Sequence, residues 1–334
     1  MKRLLPFLIL LATLLSGAEV KIASYNVENL FDLKYSGHEY EQYVPNTSWR
    51  WNSDTYRTKL KNIAKVIVDM SPDIIALQEV ESLQALKDLR AQTQRDGLYF
   101  PYYAIATSKD TTVKVALLSR YPLRTQELRV TASYKYRNIL EAKIQLGNEK
   151  LYLFVNHWKA KSGPESRRIV SAKVLKKRLT ALGDVNYILL GDFNSDYREN
   201  ETFVKKRKLN DTHGLTGINH ILKTNEHNEA VSLGDLRSCQ ECSFNLWYEL
   251  PKESRWSHKY RGRGEGLDSM IISPKLSDGK GIDYVNDSFQ KFDAPYLFKK
   301  GKIYRWQRSR NYPKHHTAKG YSDHLPIYAR FNVH

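Results

Sequence analysis

The chain of 334 residues predicts a layered α/β fold in which helices cover β-sheets. Two observations support this class. Amphipathic helical segments are mixed with several consecutive strand-like segments, and both kinds of element bury their apolar faces by packing in layers. The turns between consecutive strands are short and are polar or contain proline, which favours antiparallel pairs and argues against a purely parallel sheet.

Hydrophobic periodicity locates the elements, since it differs between helices and strands. The elements predicted up to residue 90 are a strand (20–25), a helix that Ser53 or Asp54 caps and Ser71-Pro72 ends, a buried strand (73–77) and a second helix (81–90). Those predicted beyond residue 100 are strands over 102–106, 113–119, 139–144 and 151–155, a helix over 164–182, and strands over 187–190, 267–273 and 325–333. Residues 196–260 are weakly patterned and are predicted to carry loops and short helices.

Polar side chains follow several of these strands at the point where the apolar run ends. The run Ile188–Leu190 leads into Gly191-Asp192-Phe193-Asn194, where a carboxylate and an amide are separated by one residue. The corresponding groups at other strand ends are Asn26, Glu79 and Asn156-His157, and Ser322-Asp323-His324 opens the last apolar run. Groups that share one rim of a sheet are expected to converge on a site built on a rigid scaffold.

The oxygen-bearing side chains of this set favour a hard divalent cation. They are Asn26, Glu79, Asp192, Asn194, Asp268 and Asp323. Such ligands, without sulfur, suit magnesium, manganese or calcium, and a cation of this kind can assist hydrolysis of a phosphodiester. A single acid at a strand end would more simply cap a neighbouring helix, but the whole set with two histidines favours a metal-assisted site.

His157 and His324 are the candidate groups for proton transfer. A carboxylate next to a histidine holds the ring in one tautomer and raises its pKa, which suits a general acid or base near neutral pH. Because adjacent strand residues point to opposite faces, Asp323 is expected to be a ligand and not the partner of His324. We predict that Asp268 is that partner.

The first 18 residues have the pattern of a secretory signal peptide. Lys2 and Arg3 precede an apolar run over Leu4–Leu15, and small residues follow at Ser16-Gly17-Ala18. An uncleaved anchor is the alternative, but the run is shorter than the roughly 20 apolar residues that span a bilayer. We therefore expect cleavage after Ala18, no stable membrane anchor, a secreted or periplasmic location, and a single domain over residues 19–334.

The formal net charge of +17 favours an anionic partner, although charge alone could serve solubility. Basic residues concentrate in three loop-like runs, Lys205–Lys208, Arg255–Arg263 and Lys299–Arg310, and aromatic residues are interleaved in the last two. Cationic and aromatic side chains together suit a nucleic acid strand. Cys239 and Cys242 form a lone C-x-x-C pair, for which a local disulfide is expected in an oxidising compartment and a redox role is the alternative.

An ordered set of motifs resembles the endonuclease/exonuclease/phosphatase (DNase I-like) superfamily, and within it the secreted bacterial nucleases. The motifs are Ser24-Tyr25-Asn26-Val27, Gln78-Glu79-Val80, Asn156-His157-Trp158, Gly191-Asp192-Phe193-Asn194, Leu267-Asp268 and Ser322-Asp323-His324. They follow the family order from residue 20 to 331. Each motif alone is weak, but the ordered set is specific.

The resemblance implies a four-layered sandwich, with two mixed β-sheets packed face to face and helices on both outer sides, and hydrolysis of phosphodiesters with a divalent cation, Mg²⁺ first and Mn²⁺ or Ca²⁺ as alternatives. It implies that Glu79 is the principal metal ligand with Asn26 and Asp323 nearby. It also implies that Asp192 positions or deprotonates water, and that Asn194 steadies the pentacovalent phosphate.

The histidines receive roles from the same resemblance. His324, oriented by Asp268, and His157 would contact the phosphate and handle protons. The family commonly places an acid beside the first histidine from the strand that here reads 112–118, which contains no acid. Phosphate binding is therefore the expected role of His157. Arg137 could match a phosphate-contacting arginine, and Lys159, Lys161 and Arg167 are further phosphate-binding candidates.

The expected function is that of a secreted DNA endonuclease with little sequence preference, for which RNA is a further candidate substrate. The alternative is a sphingomyelinase-like phospholipid phosphodiesterase, for which 247–248 or 296–298 could supply an apolar projection. A catalytically dead DNA-binding protein is a third hypothesis, and competent residues at the expected catalytic positions argue against it. The sequence does not indicate an oligomeric state.

Overall fold

Two large β-sheets form the centre of the computed structural model, and the structure describes residues 17–107, 111–131, 136–204, 206–227, 229–236, 238–239 and 241–334. The strands are β1 (Ala18–Leu30), β2 (Ile74–Val80), β3 (Tyr102–Ile105), β4 (Lys114–Ser119), β5 (Leu123–Leu128), β6 (Ile139–Leu146), β7 (Glu149–His157), β8 (Asn186–Asp192), β9 (Asn225–Glu226), β10 (Glu229–Ala230), β11 (Phe244–Asn245), β12 (His258–Tyr260), β13 (Arg263–Glu265), β14 (Asp268–Ile272), β15 (Ile282–Tyr284), β16 (Gln290–Lys291), β17 (Phe298–Lys299), β18 (Lys302–Ile303) and β19 (Ile327–Val333).

Both large sheets are mixed. The first has seven strands in the order β15-β19-β1-β2-β4-β3, with β16 also paired to β19. The second has six strands in the order β11-β14-β8-β7-β6-β5. Within them β1 and β2 are parallel, as are β7 and β8, whereas β1 with β19 and β8 with β14 are antiparallel.

The helices are α1 (Ser53–Met70), α2 (Leu83–Arg95), α3 (Ser166–Leu182), α4 (Glu199–Thr202) and α5 (Leu233–Leu236). Helices α1 and α2 begin at capping residues, whose side chains accept a hydrogen bond from an otherwise unpaired backbone N–H group of the first turn. The cap of α1 is Asn52, whose side chain accepts from the backbone of Thr55, and not Ser53 or Asp54 as predicted. Asn52 takes this position because its backbone is extended while Ser53 is already helical.

Three apolar clusters separate the layers. The first lies between the sheets and joins residues such as Ile74 and Val115 to Leu153 and Ile188. The second lies between the first sheet and helices α1 and α2, and the third between the second sheet and α3. Alternate residues of β2 enter the first and second clusters, which explains why this strand reads as a continuous apolar run. The predicted four-layered α+β sandwich is thus confirmed.

The predicted signal peptide falls almost entirely outside the described residues, which begin at Gly17. Ala18 already belongs to β1, where it pairs with Val333 of the last strand. Among the described residues, no helix combines the length and apolarity needed to cross a bilayer.

Candidate active site

Three strands of the second sheet bring their end residues into one lateral row. The parallel pair β7 and β8 places His157 beside Asp192, and the antiparallel β14 places Asp268 on the other side of Asp192. Side chains in register across neighbouring strands lie on the same face. All three residues are buried, so they form the floor of the site.

The first sheet contributes Asn26 and Glu79, at positions where regular pairing breaks. Register shifts interrupt β1 after Asn26 and β2 around Glu79, and Glu79 has a φ of 66°. The Asn26 amide group donates to Glu79 Oε1 at 3.2 Å and to Asp192 Oδ2 at 3.1 Å. Its oxygen accepts from the Glu28 backbone at 3.0 Å. Asn26 therefore joins the acids of the two sheets, and it presents its nitrogen to them, although we expected a metal-ligating oxygen.

A tight turn after β8 holds Asp192 and Asn194. The Asn194 backbone N–H donates to Asp192 Oδ1 at 2.8 Å, and the Asn194 amide donates to Trp158 O at 3.2 Å. Gly191 precedes the turn with a φ of 126°, and a Cβ there would lie 2.1 Å from Asn156 O. Only glycine permits this approach of β7 and β8.

Asp192 has the environment of a base that titrates near neutrality. Burial raises the pKa of Asp192 to about 7, with Asp268 and Glu79 adding to the effect while the His324 charge opposes it. Hydrogen bonds from Asn26 and Asn194 fix both carboxylate oxygens. The carboxylate is therefore oriented and poised to exchange a proton near pH 7.

His324 is paired with Asp268 across the site. Nδ1 of His324 donates to Asp268 Oδ2 at 2.6 Å. Burial lowers the pKa of His324, but the Asp268 charge and hydrogen bond outweigh it, so that the pKa lies well above the usual value. The imidazole is thus held as a cation. Trp247 Nε1 in turn donates to Asp268 O at 2.7 Å and fixes the backbone of the partner.

His157 is held in a different state. Its Nε2 lies 3.6 Å from Asp192 Oδ2 and 3.9 Å from Glu79 Oε1. Burial, aided by the charges of Arg137 and His324, moves the pKa of His157 well below its usual value. Within the described part of the chain, its Nδ1 contacts no hydrogen-bond partner. This agrees with the absence of an acid in the strand 112–118.

Asp323 forms an ion pair that sequence reasoning missed. Arg305 Nη2 lies 3.0 Å from Asp323 Oδ2, and the same guanidinium hydrogen-bonds Glu28 Oε1, with the Nε contact at 2.9 Å. Burial raises the pKa of Asp323, but His324 and Arg305 outweigh this, so the net shift is downward. Burial, with Asp323 adding to it, raises the pKa of Glu28 to about 7. Glu28 directly follows the motif that ends at Val27, and its position two residues after Asn26 was the available signal for it.

Two more residues complete this side of the site. The ring of His258 lies 4.7 Å from that of His324, and burial lowers the pKa of His258 to about 4. Lys59 is buried in α1, and its Nζ donates to Tyr321 O at 2.9 Å. His258 and Arg305 both fall in the basic runs noted in the sequence, which was the available signal for them.

The predicted phosphate-binding residues divide into separate environments. Arg137 donates to Trp158 O at 3.2 Å. Its positive charge opposes the rise in the pKa of Glu79 and adds to the fall in the pKa of His157, which places Arg137 at the rim. Lys159 lies over the Tyr136 ring at 5.3 Å. Lys161 is held by Glu199 at 2.7 Å and Glu265 at 3.1 Å, so its charge is already compensated. Arg167 is exposed in the first turn of α3.

The residues at the rim fit a hard divalent cation. Glu79 and Asp323 are partly open, with 20% and 24% of their side chains exposed, whereas Asp192 and Asp268 are almost closed to solvent. A cation that keeps some of its waters needs the open carboxylates. Ligand atoms of Asp192, Asp268 and His324 also lie within 4.8 Å of one another, but Nδ1 of His324 is committed to Asp268. Glu79 and Asp323 are therefore the better ligands, and Asp323 keeps one oxygen, Oδ2, on Arg305.

A disulfide joins Cys239 and Cys242, the pair for which a local bridge was expected. It closes a turn after α5, and Cys242 belongs to the cluster between the sheets. The bridge thus forms part of the scaffold and is not one of the residues assembled at the rim.

Comparison with known proteins agrees with this architecture. The model of the Endonuclease/Exonuclease/phosphatase family matches residues 21–332. No curated protein matches the chain. Among solved structures, the humanized TDP2 of D. rerio has a TM-score of 0.58 at 14% identity and covers 94% of this chain and 99% of its own.

Two further structures show the same fold. An AP endonuclease from Archaeoglobus fulgidus has a TM-score of 0.58 at 16% identity and covers 94% of this chain and 100% of its own. D. rerio TDP2 complexed with a single strand DNA product has a TM-score of 0.56 at 14% identity, with 95% and 100% covered. The family model matches nearly the whole length of both large sheets. The chain therefore belongs to the Endonuclease/Exonuclease/phosphatase family and is a hydrolase that acts on phosphodiester bonds.

Proposed function

We propose that the protein is a secreted, divalent-metal-dependent endonuclease that cuts DNA with little sequence preference. The observation that carries the choice of substrate is a cavity of about 630 Å³ that opens beside Asp323. Its lining includes Lys259, Tyr260, Arg261 and Lys302, while the Arg305 guanidinium in the same lining is paired with Glu28 and Asp323. Basic groups and an exposed aromatic ring next to a phosphodiester-cleaving site suit a polyanionic strand with stacking bases.

The residues near Glu79 and His157 have a similar character. Tyr40 interacts with Arg137, and Lys159 lies over Tyr136. Cationic and aromatic side chains therefore lie near Glu79 and His157 as well as near Asp323. Cationic contacts of this kind bind the phosphate backbone of a nucleic acid and do not distinguish its bases, which supports low sequence preference. One structural neighbour is described as complexed with a single strand DNA product, and this also supports a nucleic acid substrate.

The chain's own residues can divide the chemistry among them. Asp192, oriented by Asn26 and Asn194, would accept the proton of the attacking water. His324, cationic through Asp268, would contact a phosphate oxygen, and neutral His157 would provide a further polar contact. A divalent cation held by Glu79 and Asp323, most simply Mg²⁺, would supply Lewis-acid stabilisation of charge on the phosphate.

The two segments that suggested a lipid substrate, 247–248 and 296–298, argue against it in the structure. Trp247 is buried between the sheets and Leu297 is buried against the first sheet, so neither is part of an exposed apolar projection. The most exposed aromatic residue at the site is Tyr260, at 62%, and basic residues surround it. This surface suits a polyanion better than the interior of a membrane.

The test is cleavage of supercoiled plasmid by the mature protein in Mg²⁺, in Mn²⁺ and in EDTA, beside His324→Ala. Removal of the cationic imidazole is expected to slow nicking by about 10²–10⁴-fold. His334→Ala is the matched control, since His334 is an exposed terminal residue. Circular dichroism of each variant confirms that it is folded.

The outcomes separate the candidate functions. Nicking by wild type and His334→Ala, lost in EDTA and in His324→Ala, supports the nuclease. Turnover of sphingomyelin vesicles without plasmid cleavage transfers the assignment to the lipid branch. Tight plasmid binding with no cleavage in any metal would identify a binding protein.

The secreted location rests on residues 1–18. N-terminal sequencing of the protein recovered from the medium or periplasm of an expressing cell is expected to begin at Glu19. Retention of Met1 in a cytosolic fraction would contradict secretion.

A further inference from the structure

A second pair of acids lies beside the candidate metal site, and a cation of the chain itself already bridges it. Glu28 and Asp323 both contact the guanidinium of Arg305. The Glu28 side chain is only 6% exposed, so its ionised form needs compensation within the protein. Asp323 is at the same time one of the two open carboxylates assigned to the divalent cation.

The backbone holds Arg305 in this position. The next residue, Trp306, is buried and its backbone N–H donates to Glu28 Oε2 at 3.0 Å. A Cβ on Gly320 would lie 2.0 Å from Arg305 O, so the two segments touch at backbone distance. The guanidinium is thus preorganised between the acids.

A second cationic side chain acts on the same pair of acids. Lys59 Nζ lies 5.0 Å from the Trp306 ring, and its charge acts on both Glu28 and Asp323. Two cationic side chains therefore act on Glu28 and Asp323, and the charge of Asp323 in turn raises the pKa of Glu79. A buried carboxylate such as Glu28 needs either a metal ion or a fixed side-chain cation as its partner.

We propose that Arg305 is a tethered cation that fills a second cation position between Glu28 and Asp323 and thereby limits the protein to one divalent ion, held on the Glu79 side. The inference rests on the metal dependence of the proposed function. The alternative is an ordinary surface ion pair, which contributes little to stability. The burial of Glu28 and the contact with two acids argue for the larger role.

The test counts bound Mn²⁺ by the electron paramagnetic resonance signal of the free ion, without substrate. Wild type is expected to bind one ion. Arg305→Gln, which removes the charge and keeps a hydrogen-bonding side chain, is expected to bind two. Arg305→Lys should bind one. Arg310→Gln is the control, because Arg310 is an exposed arginine of the same loop and its loss removes the same charge.

A second variant locates the added ion. Glu28→Gln in the Arg305→Gln background is expected to return the count to one, since the second position then lacks a carboxylate. Arg305→Met provides a packed, uncharged alternative if Arg305→Gln does not fold. Two ions in wild type, or one ion in both uncharged variants, would overturn the inference. Because no substrate is present, a correct count with no plasmid cleavage would reject the nuclease and leave the inference standing.

Discussion

Asp268 accepts a hydrogen bond of 2.6 Å from Nδ1 of His324, although 56 residues separate the two in sequence. Asp268 lies in lateral register with Asp192 on β8, so the carboxylate that charges His324 also lies beside the candidate base. Asp268 therefore contacts the cationic His324 and lies beside Asp192, whose pKa is about 7.

Asp268→Asn is expected to lower kcat by about 10²–10⁴-fold, because the amide no longer stabilises the imidazolium or selects its tautomer. The pKa of His324 should fall toward its ordinary value. Plasmid cleavage against pH, with the imidazole resonances followed by NMR, measures both effects. A variant with a wild-type pH profile would show that the pairing is only structural.

Asp192→Asn is expected to abolish cleavage and to raise the melting temperature in EDTA near pH 8 by about 2 °C or more. The folded pKa of about 7 lies above the ordinary value of 3.8, so protonation stabilises the folded state. That contribution is present at low pH and is lost as the pH rises from about 4 through about 7. Asparagine cannot ionise, so the variant does not lose this stability as the pH rises.

Thermal melts of wild type and Asp192→Asn between about pH 4 and pH 8 measure this difference. The two curves should meet near pH 4 and separate as the pH rises. A gap of constant size across the range would assign the effect to packing and not to ionisation.

Lys161 and Arg137 are expected to behave differently, although both were predicted to bind phosphate. Lys161→Met removes the cation paired with the fully buried Glu199 and should reduce the free energy of unfolding by about 3 kcal/mol, with little change in KM. Arg137→Ala should raise KM for plasmid about tenfold, since one charge-assisted contact is lost. Denaturant titration and steady-state kinetics of both variants provide the check. A raised KM in Lys161→Met alone would reverse the assignment.

Much of the site was predictable because strand alternation and strand ends are local properties. Asp192 and His157 follow apolar runs, Asp268 precedes one, and parallel pairing of β7 and β8 brings the first two together. The contact between Arg305 and Glu28 spans 277 residues and depends on how a loop packs over α1. No periodic pattern encodes such a contact, so basic residues in that loop could be assigned to a partner but not to an acid of the protein.

The orientation of Asn26 shows the same limit. Its position at the site follows from the end of β1, but its amide could present either oxygen or nitrogen to the acids. The choice depends on the Glu28 backbone N–H, which a register shift after Asn26 turns toward the side-chain oxygen. Only the three-dimensional structure contains that information.

Gly191→Ala is expected to reduce the free energy of unfolding by more than about 4 kcal/mol, because the added Cβ would overlap Asn156 O and force β7 and β8 apart. Gly279→Ala is the matched control. Gly279 also has a positive φ, of 76°, but nothing lies within 4 Å of an added Cβ, so only the backbone penalty of about 1 kcal/mol applies. Urea titration of the two variants separates the cost of the steric overlap from the backbone penalty. Equal losses would show that the close approach of the two strands adds nothing to the backbone penalty, and that the row of His157, Asp192 and Asp268 does not depend on it.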